Sequence, residues 1–299
     1  MSDREIKVGV VGLDGHGPVF TNKVNGQNPK VEGLRVVAAM PVPSVMISEN
    51  KLKENIEEVK ALGVEIVKKP EDLVSKVDGI LILHDDGAIH CELVKLFAEE
   101  RKPIFVDKPL ESNLIKAKEL VEICKKNNCP VFTTSSLRFS LEIQKVLNNN
   151  SDGRIVSAMT YSPYDEKSTM PGWIYYGIHG VEPLFSLMGS GCKSVSCIYS
   201  EYGPVAIGTW EDGRMGIVKG ICKGKGYQGF GFCVWREKTV ETITVDTEYI
   251  YPELLKNIKT FIETGVTPVP IEESLEVIAF MEAANESMRN DYTNKVLIK

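Results

Sequence analysis

Apolar and polar positions follow two rhythms in the first half of the chain. Short, continuously apolar runs, IKVGVV (6–11), LRVVAAM (34–40), VEIV (64–67), GILIL (79–83) and PIFV (103–106), predict strands buried on both faces, as in a parallel sheet. Between them the apolar positions recur at helical spacing. In SENKLKENIEEVKALG they fall at Leu52, Ile56, Val59 and Leu62, with Gly63 as the stop. HCELVKLFAEE and SNLIKAKELVEICKKNN show the same stripe, the latter with Ser112 as its N-cap. Strands that alternate with helices predict right-handed crossovers. PVFTTSS (130–136) reads as a sixth strand leading out of this region.

Beyond about residue 150 the texture changes. NNNSDGRI (148–155) is a polar turn region, followed by IVSAMTYS, SVSCIYSEYG, PVAIGTWEDGRMGIVKGI and GFGFCVWREKTVETITV. Asp212-Gly213 and Gly203-Pro204 punctuate these runs as a meander would be punctuated. A helical segment at 177–189 interrupts them, and helical patterns at 252–264 and 272–289 close the chain. The expected fold class is α/β: a Rossmann domain over 1–125 and a C-terminal α+β domain over 126–299 with an open, mostly antiparallel sheet. Trp210, Phe232 and Trp235 are expected to leave an apolar face on that sheet, predicting a homodimer or homotetramer.

Composition narrows the partners. At 299 residues the chain suits two domains, and a net charge of −6 argues against nucleic acid or an anionic membrane as partner. No apolar run nears the ~20 residues of a membrane span, and MSDREIK leads straight into a strand without a signal peptide. The seven cysteines include no C-x-x-C pair, which favours reduced thiols in a cytoplasm.

The loop VGVVGLDGHGPVF (8–20) passes from strand to glycine cluster to helix start, the shape that cradles a dinucleotide pyrophosphate. Gly12 and Gly17 fit the first and third glycines of G-x-G-x-x-G, while Asp14 takes the middle place. A carboxylate facing a pyrophosphate there costs ~1 kcal/mol in water and more when desolvated. Gly15 and Gly17 leave the backbone adaptable, and Pro18 suits a first helical turn. At the tip of the second strand Met40 stands where an acidic residue would hold the ribose, and no arginine follows to favour a 2′-phosphate. His84, Asp85 and Asp86 end the fourth strand on the same sheet edge as Asp14 and His16. These could ligate a divalent metal, but no fixed ligand spacing is present, and helix capping by Asp85 or Asp86 is the simpler reading, so no metal is expected.

VGVVGLDGHG, VDGILILHDDGAIH, VDKPLESN, LRFS, GIHGVEPLFSLMG and FMEAANESMRN occur in that order. In order and spacing the chain resembles the glucose–fructose oxidoreductase / inositol dehydrogenase (Gfo/Idh/MocA) family over nearly its whole length. The resemblance implies an NAD- or NADP-binding Rossmann domain, with Gly12, Asp14, Gly15, His16, Gly17, Met40, His84, Asp85 and Lys108 at the cofactor positions. It also implies a second domain that shapes a sugar or polyol site and mediates oligomerisation. Asp107-Lys108-Pro109 matches the family's Glu-Lys-Pro signature, in which the lysine reaches the substrate hydroxyl. A lysine just past a strand end is also placed to steady a developing alkoxide. His179 matches the family's general acid/base, a role suited to imidazole. Four residues earlier, where relatives carry an orienting aspartate, this chain has Tyr175, which brings no charge at neutral pH. Arg138, in the Arg-Phe segment, is expected to be structural, and Trp173, Tyr175 and Tyr176 are either a sugar-stacking wall or core.

The expected function is an NAD(P)-dependent oxidoreductase acting on a sugar-like or polyol small molecule by hydride transfer, with Lys108 positioning the oxygen and His179 moving the proton. The rival reading is a sugar- or nucleotide-binding protein that kept the fold and lost the chemistry, because the departures fall where cofactor and catalysis belong. A metal-assisted lyase or hydrolase using the same crevice is a third.

Overall fold

The computed structural model describes residues 4–289 and the backbone of 295–296. The chain forms two compact units that interleave in sequence. One comprises the chain up to Glu111, Ile115–Thr133 and Tyr251–Ile271; the other comprises Ser112–Leu114, Thr134–Ile250 and the chain from Glu272 on.

In the first unit, β1 (Ile6–Val11), α1 (His16–Asn25), β2 (Leu34–Met40), α2 (Glu49–Ala61), β3 (Glu65–Ile66), α3 (Pro70–Val74), β4 (Gly79–Ile82), α4 (His90–Lys95), β5 (Ile104–Val106), α5 (Leu114–Asn127) and β6 (Val131–Thr133) follow in order. The six strands form one parallel sheet in the order β3-β2-β1-β4-β5-β6. Strand order reverses between β1 and β4, which opens a crevice at their C-terminal ends. The apolar runs are buried as expected: Val8, Val10, Val11, Ile80, Leu81, Ile82, Ile104 and Phe105 are all inaccessible. α2 starts where its sequence says, with the Ser48 hydroxyl accepting the Lys51 N–H at 3.2 Å.

One helix of this unit comes from far along the chain. In the second unit, α6 (Leu141–Asn148), β7 (Ile155–Tyr164), α7 (Ile178–Met188), β8 (Cys192–Ile198), β9 (Val205–Trp210), β10 (Met215–Cys222), β11 (Gly231–Arg236) and β12 (Val240–Thr244) come first. Then α8 (Ile250–Thr264) returns to the parallel sheet before α9 (Ile271–Arg289) and β13 (Lys295–Val296) complete the second unit. Phe261 of α8 packs edge-on against Phe132, with ring centroids 4.7 Å apart. Ile262 covers Gly79, where an added Cβ would come within 2.7 Å of its Cγ1.

The second sheet has seven strands in the order β12-β11-β7-β10-β9-β8-β13. All its pairs are antiparallel except β7 with β10. Alternation along the strands separates two faces. Ala158, Thr160, Val218 and Val234 point to the buried side. There α7 lies so close that a Cβ on Gly180 would come within 2.6 Å of Val218. Met159, Tyr161, Ile207, Ile217 and Trp235 stand half-buried on the other side.

Two of the three aromatics expected on the open face lie elsewhere. Trp210 and Phe232 are 2% and 1% exposed. Trp210 donates its indole N–H to Gly189 O at 2.8 Å and packs on Phe185. Its alternation phase places it with Ala206 on the helix-covered side, so it offers nothing to a partner. Among the described residues no helix is long and apolar enough to cross a membrane.

Candidate functional site

At the C-terminal edge of the parallel sheet, the turn after β1 is built by glycine. Gly12 has φ +90°, and a Cβ there would lie 2.7 Å from the His84 nitrogen on the neighbouring strand end. Gly17 lets α1 start tightly on the turn, since a Cβ would meet the Gly12 carbonyl at 2.5 Å. Gly15 caps α1 without a side chain of its own. This is the backbone shape that presents helix N-terminal amides to a phosphate.

The carboxylate that faces this helix start is not the one the loop sequence suggested. Asp14 is turned inward, its side chain fully buried. Its Oδ2 accepts the Ser44 hydroxyl at 2.7 Å and the Asp85 N–H at 2.9 Å. Asn55 donates to the carbonyls of Leu13 and Asp14 at 2.8 and 3.0 Å. Asp14 therefore clamps the loops after β1, β2 and β4 together. The expectation that Asp14 opposes a pyrophosphate is corrected: Asp85 takes that place. A Cβ on Gly15 would lie 2.2 Å from Asp85 Oδ2, so this carboxylate rests on the N-cap of α1. Burial first, then the charges of Asp14 and Asp107, raises the Asp85 pKa against the pull of Lys108 and His16.

His84 belongs to the same clamp. Its Nδ1 accepts the Asp86 N–H at 3.1 Å, which leaves Nε2–H to donate to Pro43 O at 3.2 Å. Asp86 caps the turn that leads into α4, accepting the Ala88 N–H at 3.1 Å. Met40 is buried, and its carbonyl accepts the Gly12 N–H at 3.1 Å. Its thioether is only a weak acceptor for the ribose hydroxyls that a carboxylate would hold.

Beyond β5 the chain places Asp107 and Lys108, 1% and 6% exposed. Asp107 Oδ2 bonds His16 Nδ1 at 2.6 Å, and His16 Nε2 lies 3.2 Å from the Tyr251 hydroxyl. His16 also stacks on Phe20. Burial would raise the Asp107 carboxyl, but His16, with Lys108 assisting, holds it down at about 2. His16, Asp85 and Asp107 offer ligand atoms within 4.8 Å of one another. Two of the three, His16 and Asp107, are hydrogen-bonded to each other, with the Asp85 carboxylate beside them. His90, which the sequence reading left unassigned, bridges Pro109 O and His84 O at 2.8 and 2.7 Å, tying the Lys108 segment to the end of β4.

The second unit holds the other candidates. His179 lies in the first turn of α7, 8% exposed, with Nδ1 2.8 Å from the Ser135 hydroxyl. Its ring meets Tyr176 and Phe230 edge-on at 4.9 and 5.9 Å. Ser135 lies 44 positions from His179 in the chain, so nothing in the sequence alone signals that the two meet. Tyr175 is half-buried, with Lys167 Nζ 5.2 Å from its ring centroid. Tyr175, Tyr176, Asp165, Lys167, Lys223 and Gln228 line a cavity of about 390 Å³. Trp173 is core rather than wall: it is inaccessible, packed edge-on to Tyr164. Arg138 is structural, its guanidinium 3.0 Å from Glu182 and 2.5 Å from Glu273. Burial raises the Glu182 pKa, with Arg138 opposing.

The fold has counterparts among known proteins. Residues 6–135 match the GFO_IDH_MocA family model, described as an oxidoreductase family with an NAD-binding Rossmann fold. The myo-inositol 2-dehydrogenase of Thermotoga maritima is 29% identical over 153 residues, which span 50% of this chain and 42% of that enzyme. A crystal structure of a probable dehydrogenase from Thermotoga maritima superposes with a TM-score of 0.80 at 19% identity, covering 97% of this chain and 98% of that one. The myo-inositol dehydrogenase of Lactobacillus casei, solved with NAD(H) and myo-inositol, gives 0.80 at 16% identity over 98% and 97%. Residues 6–135 thus match the NAD-binding Rossmann domain of the Gfo/Idh/MocA oxidoreductase family, and the chain as a whole shares the fold of these dehydrogenase structures.

Proposed function

We propose that this protein is an NAD(P)-dependent oxidoreductase that oxidises or reduces a sugar-like or polyol substrate. The observation that carries the reading is the glycine cradle, in which Gly12, Gly15 and Gly17 each lack room for a side chain. Those residues and the α1 N-terminus fit a pyrophosphate in backbone shape and would hold it. When bound, the nicotinamide supplies the hydride acceptor or donor. Lys108, at the strand-end position of the family's signature lysine, hydrogen-bonds the substrate oxygen and stabilises its alkoxide character. His179 moves the hydroxyl proton at Nε2. For Nε2 to act as base, Nδ1 must carry the proton and donate it to Ser135 Oγ, so Ser135 sets the tautomer that an aspartate sets in relatives. Tyr175 and the cavity beside it fit a hydroxylated ring.

A homodimer or homotetramer, formed through the half-buried apolar side of the second sheet, and a cytoplasmic location belong to the same reading. The second supported reading is a ligand-binding protein on this fold, favoured by the Asp85 carboxylate at the helix start where a phosphate would sit. Fluorescence titration with NADH and NADPH, followed by turnover assays on inositols and sugars, separates the two. Saturable NADH binding with turnover that falls at least about a hundredfold in Lys108→Met, at unchanged melting temperature, supports the oxidoreductase. Failure of both nucleotides to bind supports the binding protein.

A further inference from the structure

A second cavity in the second unit lies away from His179 and Tyr175. It has a volume of about 580 Å³ and is lined by Arg154, Arg214, Arg236 and Asp212, with Leu147 and Leu187 among its apolar residues. Two helices end there. Arg236 donates to the carbonyl of Val146 near the end of α6 and, at 2.7 Å, to Gly153 O. Arg214 donates to Met188 O, the last residue of α7, at 2.8 Å. Because His179 occupies the first turn of α7, the cavity stands at the opposite end of that helix. An α-helix rises about 1.5 Å per residue, so roughly 13 Å of helix separates them.

The charges around this cavity are unevenly matched. Arg214 pairs with Asp212 at 2.7 Å, and Arg154 pairs with Glu237 at 3.1 Å. Arg236 is the most deeply buried of the three, 9% exposed. Among the described residues no carboxylate lies within ion-pair distance of it, and its Nε has no acceptor. One of its donors caps the C-terminus of α6, with the helix dipole offsetting part of its charge, and another closes the turn at Gly153. It leaves a buried guanidinium without a counter-ion, an expensive arrangement unless something else completes it.

We propose that this cavity is a second ligand site, which binds a small organic oxyanion through the Arg236 guanidinium, with Arg154 and Arg214 around the anion and Leu147 and Leu187 against its carbon part. Guanidinium groups bind phosphate and carboxylate oxygens in a planar fork. The shared recognition chemistry is therefore that of a phosphate or carboxylate. Leu147, Ile155 and Leu187 in the lining favour an anion attached to carbon over a bare ion.

The test is isothermal titration of the full-length protein with inorganic phosphate and, separately, with citrate, in a buffer free of both, against sodium chloride at equal ionic strength. Saturable binding of one probe is expected, with phosphate and citrate distinguishing the two anion classes. Arg236→Lys keeps the charge and loses the fork, and should weaken binding about tenfold. Arg154→Gln removes a charge from a side chain that is 72% exposed, so folding should be unaffected while binding weakens about threefold. The second variant keeps the test decisive if the first does not fold. Absence of saturable binding for both probes, or binding that neither variant weakens, would overturn the proposal and leave these arginines as helix caps alone.

Discussion

Replacing Asp85 with asparagine should tighten NADH binding. In the structure the Asp85 carboxylate rests on Gly15 at the head of α1, so close that a Cβ there would lie 2.2 Å from Oδ2. A pyrophosphate drawn to the same amides would come within roughly 5 Å of it, where two unit charges repel by about 1 kcal/mol in water and about 3 kcal/mol at an effective dielectric near 20. That range corresponds to about fourfold to two-hundredfold in affinity. The Asp85→Asn substitution keeps the size of the side chain and removes the charge, so the gain is electrostatic. The sign of the pH dependence follows. Burial and the neighbouring Asp14 raise the Asp85 pKa, so wild-type binding should strengthen as pH falls through that raised value, when the carboxyl becomes neutral. The variant should lack this dependence. Fluorescence titration of both proteins from neutral to mildly acid pH is the assay. An Asp85→Asn protein that binds no more tightly, with the wild-type pH profile unchanged, would show that the carboxylate swings clear of the cofactor and carries none of the assigned repulsion.

Further outcomes follow from the same site. Asp14→Gly should lower stability rather than improve cofactor binding, because it removes two hydrogen bonds in a buried clamp; about 2–3 kcal/mol is expected, read by chemical denaturation. His16→Ala should strand the buried Asp107 carboxylate. Asp107, displaced from 3.8 to about 2, contributes about 2 kcal/mol at neutral pH, and because its pKa is depressed that stability is present above pH ~4 and lost as pH falls towards 2. The variant should lose this difference between neutral and strongly acid pH, as denaturation at both would show. Light scattering at micromolar protein should give a dimer or tetramer mass, and Ile217→Asp, on the half-buried side of the second sheet, should shift it towards monomer. A monomer mass for the wild type would remove the oligomer from the reading.

Local pattern determined a good deal of this protein. The apolar runs at 6–11 and 34–40 become strands with those same limits, because strands buried on both faces are mostly apolar; Lys7 and Arg35, near the strand starts, are the exposed exceptions. Gly12 and Gly17 were legible as a cradle, since only glycine tolerates the close backbone approach found there. Lys108 and His179 stand in short, contiguous motifs, which is why the sequence alone could single them out for the proposed roles.

Tertiary structure alone decided which groups meet. Asp14 looked like a charge aimed at the phosphate site, but its partner Ser44 is 30 positions away, and only folding shows that the carboxylate turns inward and that Asp85 takes its place. His16 and Asp107, 91 positions apart, are joined by the adjacency of β1, β4 and β5 in the sheet. Alternation marked Trp210 as belonging to one face of its strand without saying which face the helices cover. The return of α8 to the first sheet was equally silent, because its amphipathic stripe records that it must bury a face and not against what. Periodicity reports the environment of each element, whereas a hydrogen bond between distant loops depends on chain topology and distance. The strands were therefore readable one by one, and the clamp that shapes the cofactor crevice became visible only when they were assembled.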